Sequence, residues 1–187
     1  MRRFTFFLRP VLLAAAAAAI AASPLASHAA LKPGDAAPDF TTEAALGGKS
    51  FQFALADALK RGPVVLYFYP KAFTSGCTVE AHEFAEATAK FNALGATVVG
   101  VSNDDIDTLK KFSVEECRNK FAVAADGDSK IIKVYDAKLM MMPGMADRIS
   151  YVIGQNGKIV YTYASMSPDG HVANTMKAVE QLKAAKN

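Results

Sequence analysis

Two cysteines and three histidines in 187 residues leave little material for metal or disulfide chemistry. His82 and His171 read as ordinary polar residues, and neither a metal site nor a bound cofactor is expected. Neither cysteine belongs to a Cys-x-x-Cys pair, since residue 74, three before Cys77, is threonine. The usual dithiol of a thiol-disulfide oxidoreductase is therefore missing. Internal repeats and low-complexity linkers are missing too, as is the uninterrupted run of about 20 apolar residues that a membrane-spanning helix needs.

The apolar run from Val11 to Ala22 is too short for that role and has a different context. Arg2, Arg3 and Arg9 precede it and Ser27-His28-Ala29 follows, the order of a secretory signal peptide with its small-residue cleavage site. A membrane anchor is the competing reading, and the Arg9-Pro10 break works against it. No cysteine stands at the junction to carry a lipid. Cleavage after Ala29 would release residues 30–187, 158 residues, enough for one domain. The expected location is the periplasm, with no stable membrane association after cleavage. The net charge of +3 falls to 0 without the three arginines. With no basic stripe, nucleic acid is not an expected partner.

The rest of the chain is organised around Pro70-Lys71-Ala72-Phe73-Thr74-Ser75-Gly76-Cys77-Thr78-Val79-Glu80. Before it, Val64 to Tyr69 reads as a buried strand from its β-branched and aromatic content; after it, apolar periodicity predicts a long helix. Cys77 would sit in that helix's first turn, where unpaired N–H groups and the helix dipole favour a thiolate. Thr74, three residues earlier, would place its hydroxyl near a group bound at the sulfur, or would cap the helix. Pro70 has no N–H and would shield the site without competing for hydrogen bonds.

On either side the pattern alternates. A hairpin is expected around Gly47-Gly48-Lys49-Ser50-Phe51-Gln52-Phe53 and a short helix from Ala54 to Leu59. Thr97 to Val101 reads as a strand, and the next helix, capped by Asp104 or Asp105, would run through Leu109 and Phe112 to Cys117. A strand from Phe121 to Ala124 and a helix from Lys130 to Tyr135 follow. Arg148 to Ile153 and Lys158 to Tyr163 read as a hairpin turned at Asn156-Gly157. After Pro168-Asp169-Gly170 comes an amphipathic helix with Val172, Met176, Val179 and Leu182 on one face. These elements describe an α/β domain with a mixed central sheet and helices on both faces.

The spacing Pro-x-x-x-Thr-x-x-Cys, at Pro70, Thr74 and Cys77, resembles the active-site loop of peroxiredoxins. Tyr67-Phe68-Tyr69-Pro70-Lys71-Ala72 with Gly76-Cys77-Thr78 is similar to the Q-type, or bacterioferritin comigratory, subgroup, although Ser75 replaces its usual proline. Ala37-Pro38-Asp39-Phe40 and Arg148-Ile149-Ser150-Tyr151-Val152-Ile153 also resemble family segments. The resemblance implies a thioredoxin-like fold and an antioxidant thiol peroxidase acting on hydrogen peroxide and organic hydroperoxides. Its partner would be a thioredoxin-like or other thiol reductant, and the protein a monomer or weak dimer.

By the same resemblance Cys77 is the peroxidatic nucleophile, which becomes a sulfenic acid. Arg148 is the active-site arginine, lowering the thiol's proton affinity and binding peroxide; by itself it would also pass for a surface charge. Glu80 would hold Arg148 in place, or be a solvated helix glutamate. His82 occupies the place of a nearby second cysteine in many of the subgroup, so Cys117 is the expected resolving thiol through an intramolecular disulfide. A thiol-disulfide oxidoreductase and a binding module with a structural Cys77–Cys117 disulfide remain as alternatives. Met140-Met141-Met142-Pro143-Gly144-Met145 departs most from the family pattern; it reads as an adaptable apolar wall or, less simply, a copper(I) site.

Overall fold

The computed structural model describes Met1 and residues 30–185, so the expected export signal lies outside the described residues. The elements run β1 (Thr41–Leu46), β2 (Lys49–Ala54), α1 (Leu55–Arg61), β3 (Val64–Phe68), α2 (Ser75–Ala93), β4 (Thr97–Ser102), α3 (Ile106–Glu115), β5 (Ala122–Ala125), α4 (Lys130–Val134), β6 (Ile149–Ile153), β7 (Ile159–Ala164) and α5 (His171–Ala184). One seven-stranded sheet takes the order β2-β1-β5-β4-β3-β6-β7. Its centre, β5-β4-β3, is parallel, and the outer pairs are antiparallel. Helix crossovers build the parallel centre and hairpins the edges.

All five residues of β3 are buried because both faces of the sheet are covered. Val65 and Tyr67 enter one core, with Cys77, Phe84 and Phe91 of α2, Phe112 of α3 and Val179 of α5. Val64, Leu66 and Phe68 enter the other, with Leu55 of α1, Ile132 of α4 and Tyr151 of β6. This alternation follows from the two-residue strand period. At β4, Gly100 makes the first core possible: a Cβ there would lie 2.7 Å from the Tyr67 ring.

The turns obey local chemistry. Gly47 and Gly48, with φ of 58° and 78°, join β1 to β2 in the left-handed conformation that a two-residue hairpin requires. Among the described residues no helix is long and apolar enough to cross a membrane.

One expected boundary is wrong. Cys117 is expected on the third helix, but α3 ends at Glu115, with Glu116 as its cap. The amides of Glu116 and Cys117 both donate to Phe112 O, and Arg118 and Asn119 turn left-handed, with φ of 51° and 59°. A helix cannot continue through two such residues.

Candidate active site

Strand β3 leads into the loop that precedes Cys77 and α2. Phe73, at φ 64°, swings the chain into α2, and Thr74 takes the N-cap position. Its hydroxyl does not cap the helix; it donates to Lys71 O at 2.9 Å. That leaves the oxygen's lone pairs available to accept a hydrogen bond from a bound ligand. The loop is fastened from below by Asp104 at the end of β4, which accepts from Ala72 N at 2.8 Å and Ser102 Oγ at 2.9 Å, and pairs with Lys71. Asp105, not Asp104, caps α3, through Thr108 N at 2.8 Å. Of the two residues expected as possible caps, Asp105 takes that role and Asp104 holds the loop instead.

Cys77 lies in the first turn of α2, buried, with a free thiol. Arg148, just ahead of β6, reaches it: Nη2 is 3.4 Å from Sγ. Gly76 leaves the room, since a Cβ there would stand 3.1 Å from the same Nη2. The guanidinium is held on its other donors by Glu80, through Nη1, and by Met166 O, 3.0 Å from Nε. Burial works against the charge of Arg148, but Glu80 and Cys77 outweigh it and hold the guanidinium protonated above its ordinary range. Glu80 is wholly buried rather than solvated. Burial pushes its carboxyl up, to about 8, against the pull of Arg148. Pro70 is half-buried at the loop's start.

Cys117 shares the core of Cys77 but not its polar company. Tyr69 stacks on Phe112 at 5.5 Å, and Tyr67 on Phe84 at 4.4 Å. Both tyrosines are in electrostatic reach of both thiols. Burial, aided by Glu116, pushes the Cys117 thiol well above its ordinary range. Glu116 pairs with His82 Nε2 at 2.7 Å, tying the end of α3 to the second turn of α2.

His171, expected to be an ordinary polar residue, is not one. It is fully buried at the start of α5, its Nδ1 2.8 Å from Ser150 Oγ and 3.6 Å from Glu80 Oε1. The signal available in the sequence was a histidine opening an otherwise amphipathic helix. No group of three or more His, Cys, Asp or Glu side chains suited to a metal occurs among the described residues. Met140 and Met141 are 89% and 88% exposed, on a loop closed by Leu139 N to Met145 O at 3.0 Å.

A family model described as the AhpC/TSA family matches residues 33–162. Peroxiredoxin Q, chloroplastic, of Oryza sativa subsp. japonica is 32% identical over 150 residues, covering 80% of this chain and 67% of that protein. Peroxidoxin BcpB from Mycobacterium tuberculosis superposes with a TM-score of 0.74 at 28% identity, covering 81% of this chain and 98% of that one. A mutant of Xylella fastidiosa PrxQ gives 0.71 at 26% identity, covering 85% and 99%.

Proposed function

Since the chain belongs to the AhpC/TSA family, and within it to the Q-type peroxiredoxins, and is a thiol peroxidase, we propose that Cys77 is its peroxidatic nucleophile. The observation that carries this is the guanidinium of Arg148 at 3.4 Å from Sγ in the first turn of a helix. Two sources of positive potential, the start of a helix and a guanidinium, meet at one sulfur.

The thiolate attacks one oxygen of the peroxide, the S–O bond forms as the O–O bond breaks, and the electron pair leaves with the second oxygen. Arg148 stabilises that departing hydroxide or alkoxide, which takes a proton to become water or an alcohol. Thr74, whose own hydrogen is committed to Lys71 O, accepts the hydrogen bond of the attacked peroxide oxygen. Pro70 offers no N–H to compete, and Glu80 fixes the orientation of Arg148. The product at Cys77 is a sulfenic acid. Cys117 then attacks it, releasing water and leaving an intramolecular disulfide, which a thioredoxin-like or other dithiol reduces by exchange. Electrons come from thiols throughout, so the cycle calls for no bound cofactor. Residues 1–29 are proposed as an export signal, supported by the order of their charged, apolar and small residues.

One equivalent of hydrogen peroxide added to the reduced protein, followed by intact mass, tests the assignment. Wild type should gain an oxygen at Cys77 or lose two hydrogens as a disulfide, and Cys77→Ser should do neither. Peroxide consumption that survives in Cys77→Ser would overturn it.

A further inference from the structure

Beyond the Arg148 contact lies a buried polar group that the peroxide chemistry leaves unused. Glu80 gives Oε2 to Arg148, while its Oε1 has no hydrogen-bond partner among the described residues. The atom opposite is Nδ1 of His171, at 3.6 Å, and both side chains are fully buried. The tautomer of His171 is set by its other side. Nε2 is 3.0 Å from Ser165 O, which can only accept, so Nε2 carries the hydrogen and Nδ1 presents a lone pair in the neutral ring, to which the Ser150 hydroxyl donates at 2.8 Å. As the first residue of α5, the ring stands at a helix's positive end, which disfavours an imidazolium.

We propose that Glu80 and His171 share a single proton between Oε1 and Nδ1, and that this proton frees the charge of Arg148 for the sulfur of Cys77 and the departing oxygen. The inference rests on Cys77 as the nucleophile. The groups facing the pair are Tyr67 on β3, Glu83 on α2, Asp147 and Arg148 ahead of β6, with Cys77 beyond the guanidinium, Ser150 on β6, the edge-on Tyr163 ring of β7 at 4.8 Å, and Asp169, which acts on Glu83. With the proton present, Glu80 and His171 are together neutral and Arg148 balances the thiolate alone. Without it the pair carries a negative charge, and one guanidinium is divided between two buried anions.

Two directions agree with this bookkeeping of charge. Burial raises the Glu80 carboxyl to about 8 and depresses His171, both of which favour a neutral imidazole facing a protonated carboxyl. A separation of 3.6 Å is too long for a hydrogen bond; uptake of the proton closes it to one, and the Ser150 hydroxyl then turns its hydrogen away from Nδ1. His171 is thus a positioning residue: it acts on the sulfur through Glu80 and Arg148.

Stopped-flow oxidation of the reduced protein by hydrogen peroxide, from about pH 5 to about pH 10, is the first test. The wild-type rate should decline on the alkaline side with a midpoint near 8, as the pair loses its proton. Glu80→Gln is the informative variant, because its amide is permanently neutral and can donate to Nδ1. Its rate should fall at neutral pH, where Glu80 orients Arg148, but its profile should lose the alkaline decline. A decline that survives in Glu80→Gln, or a folded variant inactive at every pH, would overturn the proposal. The second readout needs no turnover: ring-nitrogen NMR of His171 in reduced wild type and in Cys77→Ser. Replacing the thiolate by a neutral hydroxyl should move the proton's midpoint to lower pH, and identical midpoints would sink the link. Should reduced wild type fail to consume peroxide at all, the assignment of Cys77 is at fault, while the NMR titration still decides whether the pair shares a proton.

Discussion

Cys77 and Cys117 are the same residue at nearly the same exposure, 1% and 0%, in the same core and both free. Their surroundings make them opposites. Cys77 begins a helix and touches a guanidinium; Cys117 follows the end of a helix, with the carboxylate of Glu116 beside it. The helix dipole therefore favours an anion at the first and opposes it at the second. Burial by itself pushes a thiol up, as at Cys117. What separates the proposed nucleophile from the second thiol here is the end of the helix it occupies and the charge it meets.

The most severe way to break this comparison is to remove the privileged sulfur. Cys77→Ser should cut the rate of peroxide consumption by at least about 10³-fold, because no other group supplies the electron pair. Peroxide-dependent loss of thiol, followed in both single-cysteine variants, measures it. If Cys117 alone reacted at a comparable rate, position and charge would not be what distinguishes the two.

Next comes the guanidinium. Arg148→Lys keeps a positive charge but cannot reach Sγ, Glu80 and Met166 O together, as the planar fork does. The stopped-flow oxidation rate should fall by about 10²- to 10³-fold, the loss expected for one aligned donor at a departing oxygen. Circular dichroism should remain native. An unchanged rate would mean that charge without geometry suffices.

Much of this contrast was legible in the sequence. The strand Val64 to Tyr69, the Pro-x-x-x-Thr-x-x-Cys spacing and the helix after Cys77 are local features, and local chemistry shapes them. What escaped was long-range. Asp104 fastens Ala72 only because the sheet order sets β4 beside β3, and His171 meets Glu80 only because α5 packs on the same face as α2. Neither neighbour is implied by spacing along the chain. The early end of α3 has a different reason: Arg118 and Asn119 adopt left-handed backbone, which the spacing of apolar residues before them does not report.

A subtler change leaves every reacting group in place. Gly76 has no backbone need to be glycine, yet an alanine Cβ would press on Arg148 Nη2 at 3.1 Å. Arg148 has little freedom to yield, being fixed by Glu80 and Met166 O. Gly76→Ala should lower the oxidation rate by about tenfold, since small misplacements at a reacting centre are costly. Thermal unfolding should be unchanged or slightly later, alanine being the better helix former by up to about 1 kcal/mol. A variant as fast as wild type would show that the guanidinium tolerates displacement.

The smallest effect on the first step belongs to Cys117. Cys117→Ser should leave the initial oxidation rate within about twofold of wild type, because this thiol is no part of the polar cluster around Sγ of Cys77. The buried hydroxyl should lower stability by about 1–3 kcal/mol unless it finds a partner, and Cys117→Ala checks that this loss is separate from chemistry. The difference lies in the product. Wild type should pass to an internal disulfide, and the variant should stop at the sulfenic acid and over-oxidise to sulfinic acid under excess peroxide. Disulfide formation brings the two Cα atoms to about 4.4–6.8 Å, whereas Cys77 is held in its own helical turn and Cys117 behind the His82–Glu116 pair. A disulfide formed by opening both restraints should accelerate amide exchange in the first turn of α2 and in residues 116–120 once Cys77 is oxidised. Burial keeps the Cys117 thiol protonated until that opening, which delays its attack until the sulfenic acid exists. Intact mass after one equivalent of peroxide decides the matter: a lasting sulfenic acid or an intermolecular dimer, with no internal disulfide, would make this a one-cysteine peroxidase served by an external thiol.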